Sequence, residues 1–246
     1  MILIRFASIP STQDWARRWA QLGAPEILVV QADEQTAGRG RLRRSWWSPP
    51  GTGLYLSLLV RPALPLSRTS QLTMLTAVAA MTACQEVAGI RPRPKWPNDL
   101  LWQGRKLAGI LTEIEQERGW LRYAIIGLGL NVNTSFRGTA LEATAISLSE
   151  ACGRPLAVTA VRDSFLAHFQ EQYRRFQAGE SPFPVWQRDL EPLGRRVRVR
   201  MTDSADNEGL VGLAIGVNPQ GALLVQDDAG GLHTVWAGDV DAEATV

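Results

Sequence analysis

The chain has 246 residues, 45% hydrophobic and 20% charged, with a formal net charge of +2. At roughly 100–200 residues per domain this is one large domain or one domain with a small appendix, and the ordinary composition excludes a disordered or fibrous chain. The near-neutral total gives no argument for nucleic-acid binding, yet it conceals a split. Residues 35–106 hold eleven Arg/Lys against two Asp/Glu, which leaves fifteen against twenty-two elsewhere. The last 46 residues have eight acidic groups and no Lys or Arg, and 24 of the 26 basic residues are Arg. The two lysines are Lys95 and Lys106.

Met1–Phe6 reads as a short strand. Arg5 and Pro10 interrupt the N-terminus before an apolar segment can form, so no secretory signal is expected. Ser11 is placed to cap a helix, with Asp14 at its third position as a short-armed capping-box acid. Trp15, Ala16, Trp19 and Ala20 follow at helical spacing, and Gly23 ends the element. Residues 27–31 form a strand. Residues 33–53 are loop-like, because Gly38, Gly40, Pro49, Pro50, Gly51 and Gly53 deny regular structure. A strand over 54–60 and a helix over 67–89 follow. The apolar run Leu72–Cys84 is 13 residues long, too short to span a bilayer. Residues 93–102, 106–115 and 120–132 read as three strands, the last two joined by a turn at 116–119. A loop over 134–145, a helix over 159–178 and a short helix near 183–190 complete the larger part.

Composition changes at Gly194. Arg196–Met201 alternates, Gly/Asp/Asn turns follow, and Ala222–Val225 and His233–Trp236 are strand-like. Short strands with tight turns over about 50 residues indicate a small β-barrel or SH3-like module. The expected domains are 1–192 and 193–246. Cys84 and Cys152 show no metal-like or paired spacing, so a reducing cytoplasm is the expected location.

The most distinctive segment is Gly38-Arg-Gly-Arg-Leu-Arg-Arg44. It is neither a dinucleotide fingerprint nor a Walker A loop. Its glycines let backbone N–H groups approach a ligand, and guanidinium forks at Arg39, Arg41, Arg43 and Arg44 suit phosphate oxygens. A solvated basic loop accounts equally for the composition. Lys95-Trp-Pro-Asn-Asp99 gathers a cation, an aromatic ring, an amide and a carboxylate. Extended geometry before Pro97 would put Lys95 and Pro97 on one face, whereas Asn98-Asp99 also suits a turn. In Lys106–Glu113, strict alternation places Lys106, Ala108 and Ile110 on one face and Leu107, Gly109 and Leu111 on the other. Gly127 and Gly129 share a face and offer a flat slot, or else a tight turn. His168 and His233 have no carboxylate motif, and no zinc-hydrolase, serine or thiol acylation motif is present.

Five segments stand in the order found in biotin–protein ligases: Ser11-Thr-Gln13, Gln35-Thr-Ala-Gly-Arg-Gly-Arg41 with Arg44 and Trp46, Lys95–Asp99, Lys106–Leu111 and Gly127–Asn131. The chain resembles that family over about residues 1–240. The resemblance implies an α/β fold, with a mixed-sheet catalytic domain carrying helices on one side and an SH3-like C-terminal barrel. It implies formation of biotinyl-5′-AMP from biotin and MgATP, then transfer of biotin to one lysine of a biotin carboxyl carrier domain of acetyl-CoA carboxylase. Residues matching the family's biotin contacts are Ser11, Thr12, Gln13, Gln35, Gly38, Arg39, Gly40, Arg41, Lys106, Gly109, Gly127 and Gly129. Those matching its adenylate contacts are Arg41, Arg44, Trp46, Asn98, Lys106 and Asn131. Lys106, Arg39 and Arg41 match the charge-neutralising set.

Magnesium is expected to arrive with ATP, with no resident metal site and no tightly bound prosthetic group. No DNA or membrane partner is expected, and the chain would act as a monomer or homodimer. It begins directly at the catalytic strand, so a repressor role is not expected. Arg43 departs from the family, which usually has Gly there. Asp99 would hold Lys95 or help deprotonate an incoming amine. The rivals are a lipoate or octanoate ligase of the same architecture and, from another class, a nucleic-acid-binding module.

Overall fold

The computed structural model describes residues 1–191, 193–200 and 209–242. Met201, the Asp/Asn-rich turns expected after it and the side chain of Arg43 lie outside the described residues.

The first strand, β1 (Ile2–Ile9), leads into α1 (Thr12–Gln21), then β2 (Leu28–Gln35) and β3 (Gly53–Val60). Helix α2 (Ser70–Ala88) precedes two short strands, β4 (Arg93–Lys95) and β5 (Asp99–Trp102). A long hairpin of β6 (Arg105–Glu117) and β7 (Trp120–Asn131) follows, then α3 (Leu148–Cys152), α4 (Val158–Gln177) and α5 (Phe183–Arg188). These strands form one seven-stranded mixed sheet in the order β1-β2-β3-β7-β6-β5-β4; β1 and β2 run parallel and the other neighbours antiparallel.

Side chains on alternate positions face opposite sides of a sheet, and two separate apolar clusters follow from this. Val29, Leu58, Val60, Ala124 and Ile126 face the larger cluster with α2 and α4. Leu28, Val30, Leu59, Tyr123 and Ile125 face a smaller one with Ala16 and Ala20 of α1. The long helices thus share one side, as expected, while α1 packs on the other. The β6–β7 hairpin closes through Arg118 and Gly119, at φ 51° and 83°. Two left-handed residues between paired Glu117 and Trp120 match the right-handed twist of the strands.

The single strand expected over 93–102 is two strands. Lys95 pairs with Asp99 in a tight antiparallel turn whose Trp96–Pro97 peptide bond is cis. Lys95 and Pro97 therefore do not share an extended face. The alternation expected for 106–111 also fails at one point. The β5–β6 register shifts between Leu100 and Leu101, opposite Leu107, so Lys106 joins Gly109 and Leu111 on the cavity side. Ala108 and Ile110 remain in the core beneath α2.

The C-terminal part is an antiparallel sheet in the order β11-β10-β9-β8-β12. Its strands are β8 (Arg196–Arg200), β9 (Leu210–Val217), β10 (Leu223–Gln226), β11 (Leu232–Val235) and β12 (Asp239–Ala242). Val197, Val199, Ala214, Leu223, Val225 and Val240 are buried in the same cluster as α2. Trp96 Nε1 donates to the Gly221 carbonyl (2.8 Å) and Gln71 Nε2 to the Pro219 carbonyl (3.2 Å), so this sheet is seated on the first one. Four of its acids have partners: Asp227 with His233, Asp228 with Arg196, Asp239 with Arg44 and Asp241 with Arg200.

Cys84 is fully buried in α2, and burial pushes its thiol up to about 12, whereas Cys152 is partly exposed. A thiol reagent at pH 8 is expected to label Cys152 within minutes and Cys84 only on unfolding, because the thiolate is the reactive form. Peptide mapping after a timed pulse checks this, and equal labelling of both would refute the burial of Cys84. Among the described residues no helix is long and apolar enough to cross a membrane.

Candidate active site

A cavity of about 150 Å³ opens on the α1 side of the sheet, where β1 hands over to α1 and β6 and β7 lose their side chains at glycines. Its inner end is polar. Thr12 N–H and Oγ1–H both donate to Gln35 Oε1 (2.9 and 3.1 Å), and Thr12 Oγ1 lies 2.8 Å from Ser57 Oγ. Ser57 Oγ–H donates to Gln13 Oε1 (2.9 Å), and Gln13 Nε2 donates to the Leu111 and Ile125 carbonyls. Gln35 Nε2 donates to Ser48 Oγ (3.0 Å).

Ser11 stands at the N-cap of α1 but makes no side-chain cap bond. Its Oγ is buried and unpartnered at this cavity. Nor does Asp14 close the capping box, because its carboxylate pairs with arginines instead. A guanidinium offers that carboxylate a full opposite charge, where the backbone N–H of the cap offers only a dipole.

Lys106 sits at the outer end. Its Nζ is 2.8 Å from Asp99 Oδ1 and 5.4 Å from the Trp46 ring centroid. Asp99 therefore holds Lys106 and not Lys95. Lys95 instead borders a small polar cavity with Arg41, Arg44 and Arg200. The Trp46 indole lies flat on the glycines. A Cβ added at Gly129 would meet Trp46 Cε2 at 2.4 Å, and one at Gly109 would meet Trp46 Cζ3 at 3.0 Å. The slot read from Gly127 and Gly129 is thus occupied by this chain's own ring at Gly129. Gly127 lies against Gln13, where a Cβ would meet Oε1 at 2.8 Å.

The glycine–arginine loop crosses over this floor. Arg39, Gly40, Arg41 and Arg44 all line the cavity. Gly38 does not; it is buried beneath the loop, its carbonyl accepting from Trp46 N–H (2.9 Å). Arg41 Nη1 donates to Asn98 Oδ1 (3.3 Å) and reaches the Gly238 carbonyl (3.5 Å), and burial lowers its pKa below the ordinary arginine value. Arg44 pairs with Asp239 of β12. Arg39 pairs with Asp14 (2.6 Å) and lies 3.6 Å from Glu113.

A second, more apolar cavity of about 220 Å³ shares Ser45, Trp46 and Lys106 with the first and adds Trp47, Asn131, Phe136 and Ala145. Asn131 belongs here, not to the first cavity. Its side chain is buried and donates to the Lys106 and Ile146 carbonyls (3.3 and 3.1 Å), so it fixes the backbone that presents the lysine. Sequence reasoning missed Asp239, which is 195 residues from its partner Arg44. It missed Ser57 as well, a polar residue inside an apolar strand. A lone serine in the otherwise apolar run Leu54–Val60 was a signal for Ser57; nothing local pointed to Asp239. Among the described residues no group of three His, Cys, Asp or Glu is placed to hold a metal ion.

Comparison with known proteins gives the same arrangement a family. Residues 5–131 match the biotin/lipoate A/B protein ligase family and residues 193–242 match the biotin protein ligase C-terminal domain. The chain is 38% identical over 243 residues to the bifunctional ligase/repressor BirA of Bacillus subtilis, covering 97% of this chain and 73% of that protein. It is 30% identical over 223 residues to the biotin–[acetyl-CoA-carboxylase] ligase of Mycobacterium tuberculosis, covering 87% and 78%. The fold superposes on the biotin protein ligase of Aquifex aeolicus in complex with biotin and ATP, with a TM-score of 0.80, 27% identity and 99% of both chains covered. With a ligase-type mixed sheet, a matching C-terminal domain and relatives of this similarity, the chain belongs to the biotin protein ligases of the biotin/lipoate A/B protein ligase family.

Proposed function

We propose that this chain joins biotin to ATP, giving biotinyl-5′-AMP and pyrophosphate, and then passes biotin to the ε-amine of one lysine on a biotin carboxyl carrier domain of acetyl-CoA carboxylase, releasing AMP. The observation that carries this reading is the position of Lys106. Its ammonium lies where the polar-ended cavity meets the aromatic one. An acid whose head fills the first cavity and an adenosine in the second would place the carboxylate and the α-phosphate beside that ammonium.

In the first step a carboxylate oxygen attacks the α-phosphorus and pyrophosphate leaves, both partners being anionic. Lys106 and Arg41 are the cations that would offset the charge as it moves, with magnesium arriving on ATP as part of the substrate. Asp99 fixes the ammonium from one side and Trp46 from another. In the second step the carrier amine attacks the acyl carbon, AMP leaves, and the chain's part is position and exclusion of water.

The polar end supports biotin over lipoate. A dithiolane ring offers no hydrogen bond, whereas a ureido ring has N–H donors and a carbonyl. Ser11 Oγ is buried without a partner, and a buried polar atom left unpaired costs about 1–3 kcal/mol. A polar acid head would satisfy it. Ser11, Thr12, Gln13, Gln35 and Gly127 are assigned to the acid, and Arg41, Lys106, Trp46 and Asn131 to the adenylate side. Gly109 and Gly129 serve both by seating the indole, and Gly38 shapes the loop. The boundary between catalytic and C-terminal domains is placed at residues 192/193.

The test is pyrophosphate exchange with biotin, lipoate and octanoate supplied separately, followed by intact mass of a carrier domain mixed with chain, biotin and MgATP. Exchange driven by biotin and a mass gain of one biotin are expected. Exchange driven only by lipoate or octanoate would replace this reading with its nearest rival.

A further inference from the structure

Arg39 lies in the segment that crosses the cavity; its Nε is buried there without a hydrogen-bond partner, but its outer nitrogen is already paired. Its Nη2 is 2.6 Å from Asp14 Oδ1 and 3.6 Å from Glu113 Oε2. Arg17 bridges the same two carboxylates, at 2.6 Å from Glu113 and 3.6 Å from Asp14. Two arginines and two acids thus alternate around one point. They come from three elements: Asp14 and Arg17 from α1, Glu113 from β6 and Arg39 from the loop. The Glu113 side chain is 29% exposed, that of Arg39 36% and that of Asp14 51%, so the cluster is open enough to solvent for salt to screen it.

Arg41 differs. Its guanidinium meets an amide oxygen and a backbone carbonyl, with no carboxylate within salt-bridge distance among the described residues. The two arginines of the Gly-Arg-Gly-Arg run therefore divide the work. Arg41 is the cation left for a phosphate, and Arg39 is clipped to the scaffold two residues earlier.

We infer that Asp14 and Glu113 form a carboxylate clip that holds Arg39, and through it the 38–46 loop, closed over the cavity, making Arg39 a positioning residue and not a phosphate ligand. Gly38 and Gly40 on either side let the loop swing when the clip opens. The clip is independent of the ligand chemistry. Only its effect on adenylate retention rests on the ligase reading.

The test uses the full chain and two readouts. The first is limited trypsin cleavage after Arg39, Arg41, Arg43 and Arg44, followed by fragment mass without any ligand. An exposed pair holds its partners by a factor of roughly two to five, so Asp14→Asn with Glu113→Gln is expected to speed cleavage about three- to tenfold. Asp14→Glu is expected to restore wild-type cleavage. Added salt is expected to accelerate cleavage of wild type and to leave the double variant unchanged, a dependence that a packing defect would not produce. The second readout is the dwell time of labelled biotinyl-5′-AMP against an unlabelled chase. It is expected to shorten in proportion, with the KM for biotin unchanged within about twofold.

Cleavage of the double variant within twofold of wild type at low salt would overturn the clip. If no chain forms adenylate, the function proposed above falls while the cleavage result still decides the clip.

Discussion

Lys106→Ala is expected to stop acyl-adenylate formation while leaving a folded protein. Removing one preorganised charge at a developing anion lowers turnover by about 10²–10³-fold, and Lys106 is the cation at which the two cavities meet. The fold should survive because the lysine side chain is 38% exposed and its backbone is held by others. Lys106 N–H donates to the Thr144 carbonyl (2.7 Å), and its own carbonyl accepts from Ile146 N–H and Asn131 Nδ2. Losing a half-exposed ion pair with Asp99 costs about 1 kcal/mol at most, a shift of about 2–4 °C in Tm for a chain of this size. Pyrophosphate exchange and thermal unfolding, measured on the same preparation, separate the two effects. A folded variant that exchanges at the wild-type rate would remove Lys106 from the reaction.

Arg41→Gly is expected to produce a different defect: adenylate forms more slowly, because one of the two offsetting cations is lost, but what is formed is not kept. The wild-type side chain ties the loop to Asn98 of the catalytic sheet and to the Gly238 carbonyl of the C-terminal sheet. The next residue, Leu42, sits at φ 56°, a left-handed conformation that is costly outside glycine and that the flanking contacts must enforce. Glycine at 41 removes both tethers and frees the backbone beside the strained leucine. Biotinyl-5′-AMP then escapes and acylates any exposed amine. Biotin incorporated into a bystander protein is expected to rise about tenfold or more, the effect of removing roughly 1.4 kcal/mol of retention. If the bystander stays unlabelled while adenylate forms, Arg41 does not retain the intermediate. This outcome also differs from that of opening the Asp14–Arg39–Glu113 clip, which shortens the dwell time without removing a cation from the phosphate.

The acidic C-terminal segment gains a role from its contacts. Asp239 borders the first cavity and pairs with Arg44, so the second sheet reaches the site through a carboxylate. Of the tail's paired acids described above, Asp239 is the one that meets the basic stretch 35–106, while Asp227, Asp228 and Asp241 pair within the C-terminal sheet.

Much was legible in the sequence alone. Strands β3, β6 and β7, helices α2 and α4 and the hairpin at 116–119 follow from local periodicity and turn chemistry, which act within a few residues. The mixed sheet was implied by the family resemblance, which five short segments in a fixed order carry, and a small C-terminal β-module by its short strands and tight turns. The tertiary structure decided the rest. A register shift opposite Leu107 turned Lys106 to the cavity, and only strand pairing sets a register. The turn at Trp96–Pro97 gave Asp99 to Lys106 in place of Lys95. Trp46 came to lie on Gly109 and Gly129, and Asp14 left the helix cap for Arg39. Each of these joins residues far apart in sequence, through contacts that exist only once the sheet has brought their strands together. Local pattern names the groups that can pair, and the fold alone selects which of them meet.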